Sequence, residues 1–155
     1  MKLPAIDPSS ITPRIGITAY PEKFRGPVLG RERRALGDVA GIKSFGVNLT
    51  TIPPGGWSAQ RHWHAREDEF IFIVEGELVL ITDAGEQVLG PGMAAGFPAN
   101  SGDGHHLINK TDRPATYLEI GGRDPQEVVT YPDIDMMVQP TPQGRKFTNK
   151  KGEPY

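Results

Sequence analysis

A chain of 155 residues can bury one sizeable core but has no room for a second domain of ordinary size. It contains no cysteine, which excludes disulfides, thiolate metal ligands and cysteine nucleophiles, and fits a reducing compartment. Seventeen basic residues against nineteen acidic ones leave a net charge of -2, with no electrostatic footprint for nucleic acid or an anionic membrane surface. The opening "MKLPAIDPSS" breaks with Pro and Asp before an apolar leader develops, and the apolar run "FIFIV" is far short of a bilayer span. We therefore expect a soluble, cytoplasmic protein with neither nucleic-acid nor membrane partners.

Nineteen glycines and fifteen prolines interrupt helices throughout and suit short strands joined by tight turns. Residues 1–40 read as an irregular N-terminal arm, and its basic cluster "GRERR", from Gly30 to Arg34, as a solvated surface turn. From "AGIKSFGVNLTTI" the period is two, with Phe45, Val47 and Leu49 on one face of a strand. "EFIFIVEGELVLITDAGEQVLGPG" then predicts an antiparallel meander with turns at Glu75-Gly76 and "TDAGE". "HHLINK", the turn "TDRP" and "ATYLEIGG" predict another hairpin, closing a core over residues 41–122. In the last of these strands binary patterning turns Leu118 and Ile120 inward and leaves Tyr117 and Glu119 outside. Residues 123–155, polar and broken by proline, form a C-terminal arm. The fold class is all-β.

In "RHWHAREDEF", His62 and His64 lie two apart on a strand, so both point the same way, about 6–7 Å apart. A bend at "AREDE" starts the next antiparallel strand at Glu69 and returns its carboxylate beside the two imidazoles, two nitrogens and one hard oxygen for a metal ion. Glu67 and Asp68 are expected to solvate that bend. The whole reads G-x5-H-x-H-x4-E-x6-G from Gly56 to Gly76 and resembles the first signature of the cupin superfamily without a mismatch. The second signature, G-x5-P-x-G-x2-H-x3-N, is found through Gly92, Pro98, Gly102, His105 and Asn109, with three residues instead of one between Pro98 and Gly102.

The resemblance implies a double-stranded β-helix, the cupin or jelly-roll barrel, with irregular N- and C-terminal arms. It also implies one divalent ion (Fe, Mn, Ni or Zn) bound by His62, His64, Glu69 and His105. Of the adjacent histidines, His105 has the spacing to Gly102 and Asn109 that the signature requires, whereas His106, of opposite parity, is expected to face outward. Gln60 shares parity with His62 and His64 and is a candidate to orient a small-molecule ligand. Asp103 is expected to form a turn, and Arg61 to point away from the cavity.

These residues suggest a metal-dependent enzyme acting on a small polar metabolite, an organic acid or sugar derivative that chelates the ion. A sugar-phosphate isomerase ranks second, because the lysines and arginines lie mostly outside the motifs and Arg61 is expected to point away from the cavity, leaving no evident phosphate clamp. The third possibility is a noncatalytic sensing module. Glu69, Ile71 and Ile73 inward put Phe70 and Phe72 on the outer face of a sheet, where a second copy in a homodimer, or one of the arms, would cover them.

Overall fold

The computed structural model describes residues 4–155. In chain order its strands are β1 (Arg14–Ile15), β2 (Glu32–Ala35), β3 (Phe45–Ile52), β4 (Trp63–His64), β5 (Glu69–Glu75), β6 (Leu78–Thr82), β7 (Gly85–Leu89), β8 (Ala94–Phe97), β9 (His106–Ile108), β10 (Ala115–Gly122), β11 (Val129–Tyr131), β12 (Met136–Thr141) and β13 (Gly144–Thr148). One helical turn, α1 (Leu36–Val39), and short 3-10 turns complete the described chain. Six strands make one sheet in the order β1-β2-β3-β10-β5-β8. Opposite it stand a four-stranded sheet, β13-β12-β11-β4, and a three-stranded one, β7-β6-β9. The bridges His62↔His105 and Trp57↔Ile108 tie segments between these sheets. The result is the double-stranded β-helix.

Of the expected antiparallel meander only the β6–β7 hairpin forms: β5 pairs instead with β10 and β8, and β9 pairs with β6 rather than β10, because the turns at Glu75-Gly76 and "TDRP" carry the chain from one sheet to the other. The first of these turns requires glycine. Gly76 has φ +77, and a Cβ there would meet Ala115 Cα at 2.8 Å. Gly76→Ala is therefore expected to destabilise the protein by about 1–3 kcal/mol through backbone strain and the clash. At about 2–4 °C per kcal/mol for a chain of this size, calorimetry should record a melting point lower by several degrees. A shift within one degree would contradict the strain.

Both arms contribute more than the sequence suggests. The "GRERR" cluster is not a solvated turn: Glu32–Ala35 pairs antiparallel with β3, and Arg31 is buried. The pairing exploits period two, which sends Arg31 and Arg33 to one face and Glu32 and Arg34 to the other. After Gly122 the chain supplies β11, β12 and β13, so the four-stranded sheet is built largely from the C-terminal segment.

Two apolar clusters flank the interior. Ile52, Ile71, Ile73, Leu78, Leu80, Leu89, Leu107, Ala115 and Tyr117 form the first. The second comprises Tyr20, Val28, Val129, Tyr131, Met136 and Val138. Burying each large apolar side chain contributes about 1.5–3 kcal/mol. The second cluster takes residues from both ends of the chain, so the arms close the barrel rather than decorate it.

The parity expected for β10 is inverted. Tyr117 pairs with Ile73 and Thr50, and Glu119 with Ile71 and Asn48. Directly opposed residues share a face, so Tyr117 and Glu119 point inward with Ile71 and Ile73, while Leu118 and Ile120 lie with Phe72 and Phe70 on the outer face. Patterning failed because the interior here is a polar layer that satisfies itself: Tyr117 Oη donates to Glu119 Oε2 at 3.2 Å, Arg33 Nη2 donates to the same oxygen at 3.3 Å, and Asn48 Nδ2 donates to Glu119 Oε1 at 3.2 Å.

Candidate metal centre and cavity

A cavity of about 530 Å³ opens between the two apolar clusters. His62, His64, Glu69 and His105 lie in its wall, together with Arg31, Arg33, Tyr117, Glu119, Tyr131 and Arg145. β4 carries His64, β5 begins with Glu69, and the bridge between His62 and His105 places the remaining two imidazoles side by side.

The three rings converge on one carboxylate oxygen. Glu69 Oε2 is 3.1 Å from His105 Nε2, 3.2 Å from His64 Nε2 and 3.8 Å from His62 Nε2. The rear of each ring is held differently. His62 Nδ1 donates to the carbonyl oxygen of Gln60 at 2.8 Å. His105 lies flat on Phe97, ring centroids 3.6 Å apart, with its Nδ1 buried and without a partner in the protein. His64 Nδ1 stands 3.9 Å from both Glu67 Oε2 and Glu127 Oε1.

This arrangement can be tested against a metal on its own chemistry. Burial opposes charge on Glu69, yet the hydrogen bonds from His105, His62 and His64 prevail and hold its pKa well below the usual carboxylate range. Burial also depresses the pKa of His105, which keeps that ring neutral, the form that ligates a metal. Burial pushes on His64 in the same direction, but Glu69 outweighs it and the pKa is raised. His62, Glu69 and His105 offer donor atoms within 4.8 Å of one another, a sulfur-free set that suits a divalent first-row ion, and His64 adjoins it through Glu69 while also neighbouring Glu67 and Glu127.

The other sequence expectations fare unevenly. His106 takes no part in the cluster: it is buried, donates from Nδ1 to the carbonyl of Ala59 at 3.0 Å and stands edge-on to Trp57. Gln60 is turned elsewhere, since its Nε2 donates to the carbonyl of Phe24 at 2.9 Å. The bend around residues 58–61 lies outside any strand, so the parity that links Gln60 to His62 does not apply there. Arg61 points away from the cavity as expected, held by Asp133, Asp83 and the carbonyl of Gly104. Asp103 accepts from the backbone of Asp83 at 2.7 Å, a turn contact. Asp68 accepts from Ala99 N at 2.8 Å.

Glu67 does not solvate the bend. It is buried, accepts from Asp124 N at 2.7 Å and pairs with Arg145 Nη2 at 2.8 Å. Glu127 escaped the sequence reading altogether. It is fully buried, and it accepts from the backbone of Ala65 at 2.8 Å and of Arg66 at 3.1 Å, which locks the turn after His64. An isolated acid in "RDPQE" carries no signal for such a role. The cavity arginines had a signal that was passed over, the alternation of Arg31 and Arg33. Arg31 donates to the carbonyls of Ser58 and Ile17. Arg33 keeps a buried Nε without a partner in the protein.

Comparison with known proteins agrees with this architecture. The cupin domain family matches residues 48–121. A sugar phosphate isomerase from a cupin superfamily, from Silicibacter pomeroyi, is 45% identical, with 98% of this chain and 96% of that chain covered and a TM-score of 0.93. A protein of Acidithiobacillus ferrooxidans, provisionally described as a sugar phosphate isomerase, is 27% identical over 79% of this chain and 78% of that one, with a TM-score of 0.73. A predicted oxalate decarboxylase of Thermotoga maritima, 21% identical, shares the fold over 76% of this chain and 97% of its own, with a TM-score of 0.62. No curated protein matches the chain. Signatures, sheet order and a 45% identical relative aligned over nearly its whole length place the chain in the cupin superfamily.

Proposed function

We propose that this cupin is a metal-dependent enzyme that interconverts the aldose and ketose forms of a small phosphorylated sugar. One observation carries the reading: the cavity that holds His62, His64, Glu69 and His105 also holds Arg31 and Arg33. The sequence ranked isomerisation second for want of a cationic clamp, and β2 supplies one from the N-terminal arm. The 45% identity to a sugar phosphate isomerase supports the same reading.

His62, His64, Glu69 and His105 would hold the ion, which supplies Lewis-acid polarisation of the sugar's carbonyl and hydroxyl oxygens. The chain does the rest. Arg33, whose Nε has no partner in the protein, is placed to take a phosphate oxygen. Arg31, anchored to two backbone carbonyls, adds fixed positive charge at the same end. Ile71, Leu107 and Val129 line the cavity between them and keep water from the reacting carbons. We place the protein in the cytoplasm, on its cysteine-free composition; no helix among the described residues is long and apolar enough to cross a membrane.

The test is a panel of pentose and hexose phosphates, followed by NMR with the metal-loaded and the chelator-stripped protein. Interconversion of one aldose–ketose pair, lost with the metal and absent for the unphosphorylated sugar, is expected. Failure on every phosphorylated sugar with loaded protein would overturn the reading.

We also propose a homodimer through the outer face of the large sheet. Phe70, Phe72 and Val74 remain 43%, 38% and 46% exposed, so the arms described here leave them open, and Phe45, Phe70 and Ile120 line a groove on that face. Light scattering at micromolar concentration should give twice the chain mass, and Phe70→Glu should shift it toward the monomer. A wild-type monomer would dispose of the proposal.

A further inference from the structure

Isomerisation through an enediol requires a group that carries a proton between two neighbouring carbons, and the proposed metal ligands cannot do so while bound. Among the described residues lining the cavity, the carboxylates are Glu69 and Glu119. Glu67 and Glu127 are spent on backbone amides and Arg145. His106 is turned to the carbonyl of Ala59.

The sheet register places Glu119 beside the centre. Glu69 pairs with Gly121 and Ile71 with Glu119, so Glu69 and Glu119 are diagonal neighbours on one face, about 7–8 Å apart. Gly121 leaves the space between them without a side chain. A carboxylate offers roughly four lone-pair positions. On Glu119, Oε2 accepts from Arg33 and Tyr117, and Oε1 accepts from Asn48 alone. Oε1 therefore keeps one acceptor position, and Glu119 is held in place by three donors from three different strands. A carboxylate placed only to anchor β2 could face solvent with Glu32; this one is fixed in the cavity wall.

We propose that Glu119 is the base of this site, taking the proton from C2 of the open-chain aldose phosphate and returning it to C1. The inference rests on the isomerase reading. The C2–H bond breaks and its proton goes to Glu119 Oε1. The bond's electron pair forms the C1=C2 double bond, and the carbonyl π pair moves onto O1. The proton of the O2 hydroxyl passes to O1, C2=O forms, and the C1=C2 pair takes the proton back from the Glu119 carboxylic acid at C1. Nothing is gained or lost, and Glu119 ends ionised as it began. Tyr117 Oη and Arg33 keep Oε2 occupied, which directs Oε1 at the substrate.

Glu119→Gln retains the size of the side chain and one acceptor oxygen, though its amide nitrogen must face one of the three donors, so the melting point should fall while metal content matches wild type. Isomerisation should fall about 10²–10⁴-fold, the usual contribution of a positioned proton carrier. Incorporation of solvent deuterium into C2 and C1 should fall with it. An aldonic acid phosphate, which carries a carboxylate where the substrate's carbonyl sits, should bind E119Q at least as tightly as wild type by calorimetry, because a facing negative charge is gone. A merely structural Glu119 would instead weaken that binding together with the rate. If wild type isomerises and E119Q keeps its rate within about threefold, the inference falls while the isomerase reading stands. If wild type turns over no phosphorylated sugar, both fall together.

Discussion

His105→Ala is expected to strip the divalent ion from the protein, and His106→Ala to leave it bound. The two rings are neighbours in sequence and opposite in role. His105 Nε2 reaches Glu69 Oε2 at 3.1 Å, whereas His106 is engaged with the carbonyl of Ala59 and the edge of Trp57. Deleting one of four proposed ligands should cost more than the 10–100-fold in affinity that altering an outer partner of a ligand costs. Equilibrium dialysis followed by elemental analysis should therefore find His105→Ala essentially empty at an ion concentration that saturates wild type. His106→Ala should lose stability, since its buried hydrogen bond and aromatic contact go, yet carry one ion per chain. The reverse pattern would mean that the strand enters the barrel in the other phase.

Arg33→Met is expected to raise KM for the phosphorylated substrate about 10–100-fold while leaving KM for the unphosphorylated sugar unchanged. The magnitude follows from about 1.5–3 kcal/mol for a hydrogen bond to a charged group, at roughly 1.4 kcal/mol per tenfold. Arg33 also donates to Glu119, so kcat should fall as well, by releasing one of three donors on that carboxylate. Arg33→Lys keeps the charge without the planar fork and should recover only part of the affinity. Glu119 raises the pKa of the Arg33 guanidinium against the opposing effect of burial, so the wild-type side chain is charged throughout any practicable pH range. Steady-state kinetics on the two sugars decides the matter: an equal change in both KM values would place the phosphate elsewhere in the cavity.

What the sequence determined by itself was local. Alternation of apolar residues from Phe45 onward, the turn at Gly76 and the two spaced motifs specify strands, bends and four candidate ligands, because side-chain direction along a strand follows from period two and tight turns require glycine. Even the lengthened loop between Pro98 and Gly102 was tolerable, since Asn100, at φ 60, donates from its backbone N to the carbonyl of His64 and His105 N to that of His62, which keeps the strand in phase. Only the tertiary structure decided which face of β10 is the inside. Tyr117 and Glu119 are as alternating as Leu118 and Ile120, and a pattern cannot say that a polar layer will find Arg33 and Asn48 as partners across β3 and β2. The same holds for Glu127, which reaches the turn after His64 from 62 residues away, and for the C-terminal strands, whose cluster with Tyr20 and Val28 exists only once both ends of the chain have met. Periodicity reports neighbours along one strand. The proposed clamp, the base and the brace behind His64 are set by neighbours across strands, and those are fixed by register, which forms only when the sheet does.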